Sequence, residues 1–478
     1  MSNQETPGSI ILGGVNVIDP RDGSVRAGVD VAIADGRITS IEKTRAGAAS
    51  DPGRVDLAGK FVVPGFNDMH AHALNLADPS GSLKLMLAFG ITGFRQMSGI
   101  GDLLARRAAG TLPIGEDDPR LVETPGDILS PANGATVEQA IATLRKEVAA
   151  GADFMKVVAV SPAIFTAVQK EAKVLGTTIS GHLPAASDPI QVSKDGMRSI
   201  EHLGPGIVML AACSSDEDGI RAILASAPEL RVPNVKFPFM DRVFVAILSK
   251  IVVNPVNRMS ADAVKLLQHA VDTFDEGKAR KLAAAFAADG TWNTPTLIRQ
   301  LTTTECDLPS FPADPNLKYV ALKTLKLWKS TAASFVKKFN ADERATLKAQ
   351  YELQYRLVKI FDEAGVKLLA GTDATGGVWV IPGPSIHQEF DELGRAGLSP
   401  LRVLQTATSA AAEFLGTTTT HGSVEAGKVA DLVILDANPV ESVDALHAVS
   451  GVVLGGRYHS PADLGAIKSS VASARSVY

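Results

Sequence analysis

The residues best suited to chemistry are four histidines, a lysine and an aspartate that fall where apolar runs end. Pro64-Gly65-Phe66-Asn67-Asp68-Met69-His70-Ala71-His72 sets two histidines one residue apart. Side chains on a strand alternate with period two, so both imidazoles face the same way and can reach one ion. An isolated pair of this kind is as often two unrelated surface histidines; the apolar run ahead of it favours the ligand reading. In Gly151-Ala152-Asp153-Phe154-Met155-Lys156-Val157-Val158 a lysine lies inside an apolar run. A bare ammonium is costly to bury, so the ordinary reading is a lysine that reaches water or pairs with a carboxylate. Desolvation also favours the neutral, nucleophilic amine. That amine can take up carbon dioxide and become a carbamate, an anion with two oxygens able to bridge two ions. His182 closes Thr178-Ile179-Ser180-Gly181-His182 and His202 closes Ser199-Ile200-Glu201-His202. Either alone reads as a satisfied core histidine. Asp373 follows Leu368-Leu369-Ala370-Gly371-Thr372, where a helix cap or turn is the alternative.

Order and placement carry more than any single residue. The histidines are 70, 72, 182, 202, 269, 387, 421, 447 and 459, and the first four all sit at expected strand ends, with Lys156 between the pairs and Asp373 after them. Imidazole, carboxylate and carbamate oxygen suit Zn²⁺, with Mn²⁺ or Co²⁺ as alternatives. Arg95, Arg299 and Gln300 also fall near strand ends and are candidate substrate contacts; His387, at the start of a helix after the last strand, is a candidate pocket residue, with a structural role as the competing reading. No G-x-S-x-G elbow, phosphate loop or dinucleotide fingerprint is present, which removes support for serine-hydrolase and nucleotide chemistry.

The elements that must position these groups alternate. Strand-like runs occur at Gly65–His70, Ile91–Arg95, Phe154–Ala159, Thr178–His182, Ser199–His202, Thr291–Thr296 and Lys367–Gly371, with a weaker one near Pro119–Pro125. Helical patterns such as Val137–Ala150, Pro162–Leu175 and Asp188–Asp195 lie between them. Strand–helix alternation implies a parallel sheet, and about eight strands close a barrel whose ligands collect at the strand C-termini. Phe239–Asp289 and Lys318–Ala364 are longer than a barrel unit requires, and read as helices that either cap the site or join the outer layer. The termini differ in kind. Ile10–Asp19, Asp30–Ala34, Arg37–Lys43 and Leu57–Val63 read as strands, with Asp35-Gly36 a hairpin turn. Asp431–Asp436 and Val449–Leu454 read likewise, with a turn at Gly455-Gly456-Arg457, and Pro461–Tyr478 reads as a helix or a loose tail. The expected class is α/β: a (β/α)8 TIM-like barrel over residues 64–415, with a small β-sandwich domain formed from both chain termini, residues 1–63 and 416–478.

A net charge of −5 gives no concentrated basic surface for nucleic acid. Cys213 and Cys306 are far apart, so neither a disulfide framework nor a thiolate zinc site is expected. With no apolar run long enough for a membrane span and a polar Met1–Gly8, the cytoplasm is the expected location.

These segments resemble the amidohydrolase superfamily over most of the chain, and within it imidazolonepropionase-like and prolidase-like members, which include Xaa-Pro dipeptidases, N-acyl amino acid hydrolases and ochratoxin-type amidases. The quoted segments around His70, Lys156, His202 and Asp373 are similar to its strands one, four, six and eight. Gly422-Ser423-Val424-Glu425-Ala426-Gly427-Lys428-Val429-Ala430-Asp431-Leu432-Val433 resembles its return into the small β domain. The resemblance implies two divalent ions, most often zinc. His70, His72 and Asp373 would hold one, His182 and His202 the other, and carboxylated Lys156 and a hydroxide would bridge them. It implies hydrolysis of a C–N bond in an amide, carbamate or peptide-like small molecule, with Asp373 as base and then acid, and a homo-oligomeric assembly. A cyclic amidase and a metal-free scaffold are the alternatives. A deaminase fits less well, because His182-Leu183-Pro184-Ala185 lacks the expected glutamate. Thr92-Gly93-Phe94-Arg95-Gln96-Met97 departs from the family's Val-Arg-Asp, which puts substrate contacts near Gln96 in doubt.

Overall fold

The computed structural model describes residues 9–45, 47, 51–100, 102–226, 253–374 and 377–476. The stretch expected to be helical at Phe239–Asp289 therefore lies partly outside the described residues, as do Met1–Gly8 and the last two positions.

At the N-terminus, β1 (Ile10–Ile18), β2 (Val25–Ala34) and β3 (Arg37–Lys43) form an antiparallel meander. Asp35 and Gly36 take φ of 50° and 73°, the double left-handed turn that a two-residue hairpin needs. β4 (Arg54–Asp56) and β5 (Phe61–Pro64) both add parallel to β1. From the other end, β13 (Leu432–Leu435) pairs antiparallel with β5, followed by β14 (Val449–Leu454) and β15 (Arg457–His459). The sheet order is β15-β14-β13-β5-β1-β2-β3, with β4 off this path on β1. Both chain ends thus build one sheet, whose inner face packs Leu12, Val31, Val62, Leu432, Ile434 and Val453. The C-terminal residues form a helix, Pro461–Ser476.

Between the two ends the chain runs as β6 (Phe66–Ala71), β7 (Ile91–Gln96), β8 (Arg120–Glu123), β9 (Met155–Val157), β10 (Ile179–Gly181), β11 (Ser199–Glu201) and β12 (Trp292–Thr294). All their pairings are parallel, in the orders β6-β7-β8 and β12-β11-β10-β9. Single bridges complete the ring. Leu129 pairs with Val157, and the eighth staff, around Leu368–Ala374, bridges Asn293 on one side and Ala71 on the other. Helices such as Val137–Ala149, Pro162–Leu175 and Pro384–Arg395 cover the outside, and their buried faces join the strands in one apolar core. The architecture is the expected barrel with a sheet from both termini. Within the long insertions, Ala261–Asp272, Glu276–Asp289, Leu322–Lys338 and Ala341–Glu363 are helical. Among the described residues no helix is long and apolar enough to cross a membrane. Cys213 and Cys306 are buried free thiols.

Candidate metal centre

Strand ends deliver the polar groups to one place. His70 is the fifth residue of β6 and His72 follows that strand, their ring centroids 5.6 Å apart. Lys156 is the middle residue of β9 and is buried. His182 follows β10, and its N–H donates to Val157 O at 2.9 Å. His202 follows β11, with its ring 4.5 Å from that of His70 and 5.1 Å from that of His182. Asp373 closes the eighth staff, its N–H donating to His70 O at 2.7 Å. His202 and Asp373 both have left-handed backbones, φ 58° and 52°. Non-glycine residues adopt that conformation at a cost of about 1 kcal/mol or more, and such strain collects at functional sites. Gly371 lets the staffs close up, since a Cβ there would lie 2.7 Å from His70 Cβ and 2.8 Å from Thr294 Cγ2.

Ligand atoms of His70, His202 and Asp373 lie within 4.8 Å of one another. Asp373 Oδ1 is 3.4 Å from His70 Nε2 and 3.1 Å from His72 Nε2, while Oδ2 faces Arg299 Nε at 3.3 Å. His70 Nδ1 donates to Glu201 Oε2 at 2.6 Å, which fixes the tautomer and leaves the lone pair on Nε2. That Nε2 is buried and has no hydrogen-bond partner among the described residues. A buried acceptor without a donor, facing a carboxylate and a second imidazole, is what a cation site requires. His202 is oriented in the same manner. The Thr296 hydroxyl donates to Pro295 O at 2.8 Å and so accepts from His202 Nδ1 at 2.6 Å, leaving Nε2 available. The residues present therefore fit a divalent ion.

Electrostatics agree. Burial pushes Asp373 up, but His202, His70 and His72 together hold its carboxyl well below the usual range. Glu201 is likewise held well below by His70, Arg95 and Lys156 against the effect of burial. Burial lowers His182 to about 3, with Lys156 adding to it, and lowers His72 and His202 as well. Burial thus favours the uncharged form of His72, His182 and His202, the form in which an imidazole binds a metal. Burial brings Lys156 down to about 8, although Glu201 and Asp373 favour its cation.

Of the expected substrate contacts, Arg299 is at the cluster, as its contact with Asp373 shows. Arg95 lies inside the barrel and is fully buried, with Nε on Glu123 (3.0 Å), Nη1 on Ser199 and Glu201 (both 3.2 Å) and Nη2 on Ser180 (2.8 Å). It touches the cluster through Glu201. His387 is not brought to the cluster; its Nε2 donates to Phe89 O at 2.9 Å and its ring packs on Phe66, Phe89 and Phe390. Gln300 donates to His202 O at 2.8 Å. Gln96 binds its own loop at Ser98 O and the turn after β6 at Leu74 N and Asn75 Oδ1.

Sequence reading gave no role to Glu201, Asp68 or Thr296. The parity of Glu201 with Ser199 on a strand facing Arg95 is a usable signal for a buried charge pair. Asp68 shares parity with His70; its Oδ1 accepts from the N–H groups of His70 (3.2 Å) and Thr372 (3.0 Å), and its Oδ2 from the Thr372 hydroxyl (2.7 Å). It thereby ties the His70 strand to the segment that carries Asp373. Burial raises its carboxyl to about 6 despite those donors.

Residues 268–458 match the model of the amidohydrolase family. Comparison with curated proteins gives no match. Bottromycin amidohydrolase has a similar structure, with a TM-score of 0.70 at 24% identity over 98% of this chain and 91% of that one. A Xaa-Pro dipeptidase with methionine bound in its active site gives 0.60 at 18% identity, over 95% and 100% of the two chains. The A. niger ochratoxinase gives 0.56 at 16% identity, over 95% of each. The chain thus has the fold of these solved structures along its length and is similar to the amidohydrolase family in sequence over residues 268–458.

Proposed function

We propose that this chain is a metal-dependent hydrolase that cleaves a C–N bond in an amide, carbamate or peptide-like small molecule. The observation that carries the reading is the meeting of His70, His202 and Asp373 around a buried, unpartnered imidazole nitrogen. His72 Nε2 meets the same Asp373 oxygen and the His182 ring lies against His202; with Lys156 these would make a ligand set for two divalent ions, zinc foremost and Mn²⁺ or Co²⁺ as alternatives. Lys156, buried and short of a full positive charge, is suited to carboxylation, which would turn it into a bridging anion. When bound, the ions would polarise the scissile carbonyl and acidify a water molecule. Asp373 accepts the proton of the attacking water at its carboxylate and returns it to the leaving nitrogen, as base and then acid. Arg299 restrains the second oxygen of that carboxylate, Oδ2, so the group keeps one orientation through both transfers. Glu201 and Thr296 keep His70 and His202 in the tautomers that present Nε2.

The C–N bond class is supported by the activities named for similar structures, an amidohydrolase, a Xaa-Pro dipeptidase and an ochratoxinase. The test is turnover of metal-reconstituted protein on N-acyl amino acids, Xaa-Pro dipeptides, aryl amides, carbamates and cyclic amides. Asp373→Asn keeps the shape of the side chain and should abolish turnover; near-normal turnover in that variant refutes the proton shuttle. Hydrolysis confined to cyclic amides would replace the linear-amide reading.

A further inference from the structure

One helix touches the cluster three times, and its own N-terminus is held from elsewhere. The helix is Leu297–Thr304, directly after β12. Thr296, just before it, holds His202 Nδ1; Arg299 in its first turn meets Asp373 Oδ2; Gln300 donates to the His202 carbonyl. A residue at the Thr296 position ordinarily turns its hydroxyl onto the first N–H groups of its own helix. Thr296 does not. Its backbone is left-handed, φ 47° and ψ 50°, it makes no capping bond, and its hydroxyl is engaged between His202 and Pro295 O. The Ile298 N–H left open by Thr296 is taken by Glu389, on the helix Pro384–Arg395, whose Oε2 accepts from it at 2.8 Å.

We infer that Glu389 is a positioning residue of the metal centre, acting through the helix Leu297–Thr304 on His202 and Asp373. The inference rests on the metal reading given above. Glu389 is fully buried, and among the described residues its hydrogen bond runs to the helix and not to a candidate ligand. Its other oxygen, Oε1, has no hydrogen-bond partner among the described residues. Burial raises its carboxyl well above the usual range, and the carboxylates of Glu392 and Asp68 add to that shift. A carboxyl that accepts through one oxygen is mimicked by an amide whose carbonyl takes that place. The substitution Glu389→Gln therefore preserves the cap, whereas Glu389→Leu fills the space and leaves the buried Ile298 N–H without its acceptor.

The experiment measures apparent Zn²⁺ affinity by chelator competition, and thermal unfolding of metal-free protein, for wild type, Glu389→Leu, Glu389→Gln, Thr296→Val and the double variant Thr296→Val/Glu389→Leu. Misplacing the partner of a ligand typically weakens metal binding by about 10- to 100-fold. Glu389→Leu should show a loss of at least about tenfold, Glu389→Gln should recover to within about threefold of wild type, and the double variant should lose less than the product of the single losses. Lower thermal stability with unchanged zinc affinity in Glu389→Leu makes the residue a plain helix cap and overturns the inference. So does a Glu389→Gln variant as weak as Glu389→Leu. Should Glu389→Leu fail to fold, Glu389→Asp, which keeps the acid but shortens its reach, supplies the affinity reading with the same two outcomes. Wild-type protein that takes up no zinc refutes the metal reading as well; wild-type uptake with unchanged variants refutes only the part given to Glu389.

Discussion

Glu201→Gln removes one charge from the interior of the barrel and changes little volume. Glu201 is fully buried, accepting from His70 Nδ1 at 2.6 Å on Oε2, and from the Ser199 hydroxyl at 2.6 Å and Arg95 Nη1 at 3.2 Å on Oε1. An amide at this position must turn its NH2 toward either His70 or Arg95, and each presents an N–H. One donor then faces another whichever way the amide lies. Removing one partner of a buried charge pair costs about 3–5 kcal/mol. Glu123, 3.0 Å from Arg95 Nε, keeps part of the neutralisation, so the lower end of that range applies to stability. The metal effect is separate. His70 loses the acceptor that fixes its tautomer, and binding should weaken by about 10- to 100-fold, or about 1.4–2.8 kcal/mol. Chelator competition on the folded variant reads the second quantity and denaturant unfolding of metal-free protein reads the first. Affinity within about threefold of wild type would show that Glu201 does not orient His70, and the argument from tautomers would fail.

Two further outcomes follow from the packing. Burial lowers His387 to about 3, with the charge of His447 adding to it, whereas in the unfolded chain it titrates near 6.5. The unfolded state alone takes the proton as pH falls below about 6.5, so the stability from keeping this ring neutral is complete above that pH. It declines by about 1.4 kcal/mol per pH unit down to about 3. His387→Gln should lose about 2 kcal/mol less than wild type between pH 7 and pH 5 in denaturant titrations, and parallel profiles would contradict the buried, neutral imidazole. At the junction of the two terminal hairpins, Gly456 has φ 87°, and a Cβ on it would lie 2.7 Å from Gly36 Cα. Gly456→Ala should cost about 1–3 kcal/mol and exceed the cost of Gly59→Ala, which has φ 81° and open space around it. Equal thermal shifts for the two would show that strain alone, without the hairpin contact, accounts for the loss.

The parts of this fold written in local chemistry were legible, and the parts decided by contact across strands were not. Asp35-Gly36 marks a hairpin because few residue pairs accept two left-handed conformations, and the observed φ values are of that kind. The barrel staffs stand out where apolar runs are bounded by turn residues. β8 is faint because its four residues include Arg120 and Glu123. The placement of His70 and His72 follows from strand periodicity, and their rings do come together. For His202 and Asp373, left-handed backbones at the strand ends break that periodicity, so neither direction can be read from alternation. Arg95 shows the limit most clearly. Its place near a strand end suggested substrate, but its side chain crosses the barrel from β7 to Ser180, Ser199 and Glu201 on β10 and β11, contacts that no local pattern encodes. Thr296 and Glu389 could not have been found locally, since their hydrogen bonds run to residues 94 and 91 positions away.

Metal content of the reconstituted, exhaustively dialysed protein tests the central claim most directly. The account predicts two divalent ions per chain in wild type, and a fall in bound metal in His70→Ala and His202→Ala while both variants keep the wild-type far-UV circular dichroism. Protein that retains no ion, or whose bound ion is unaffected when His70 and His202 are replaced, would contradict it.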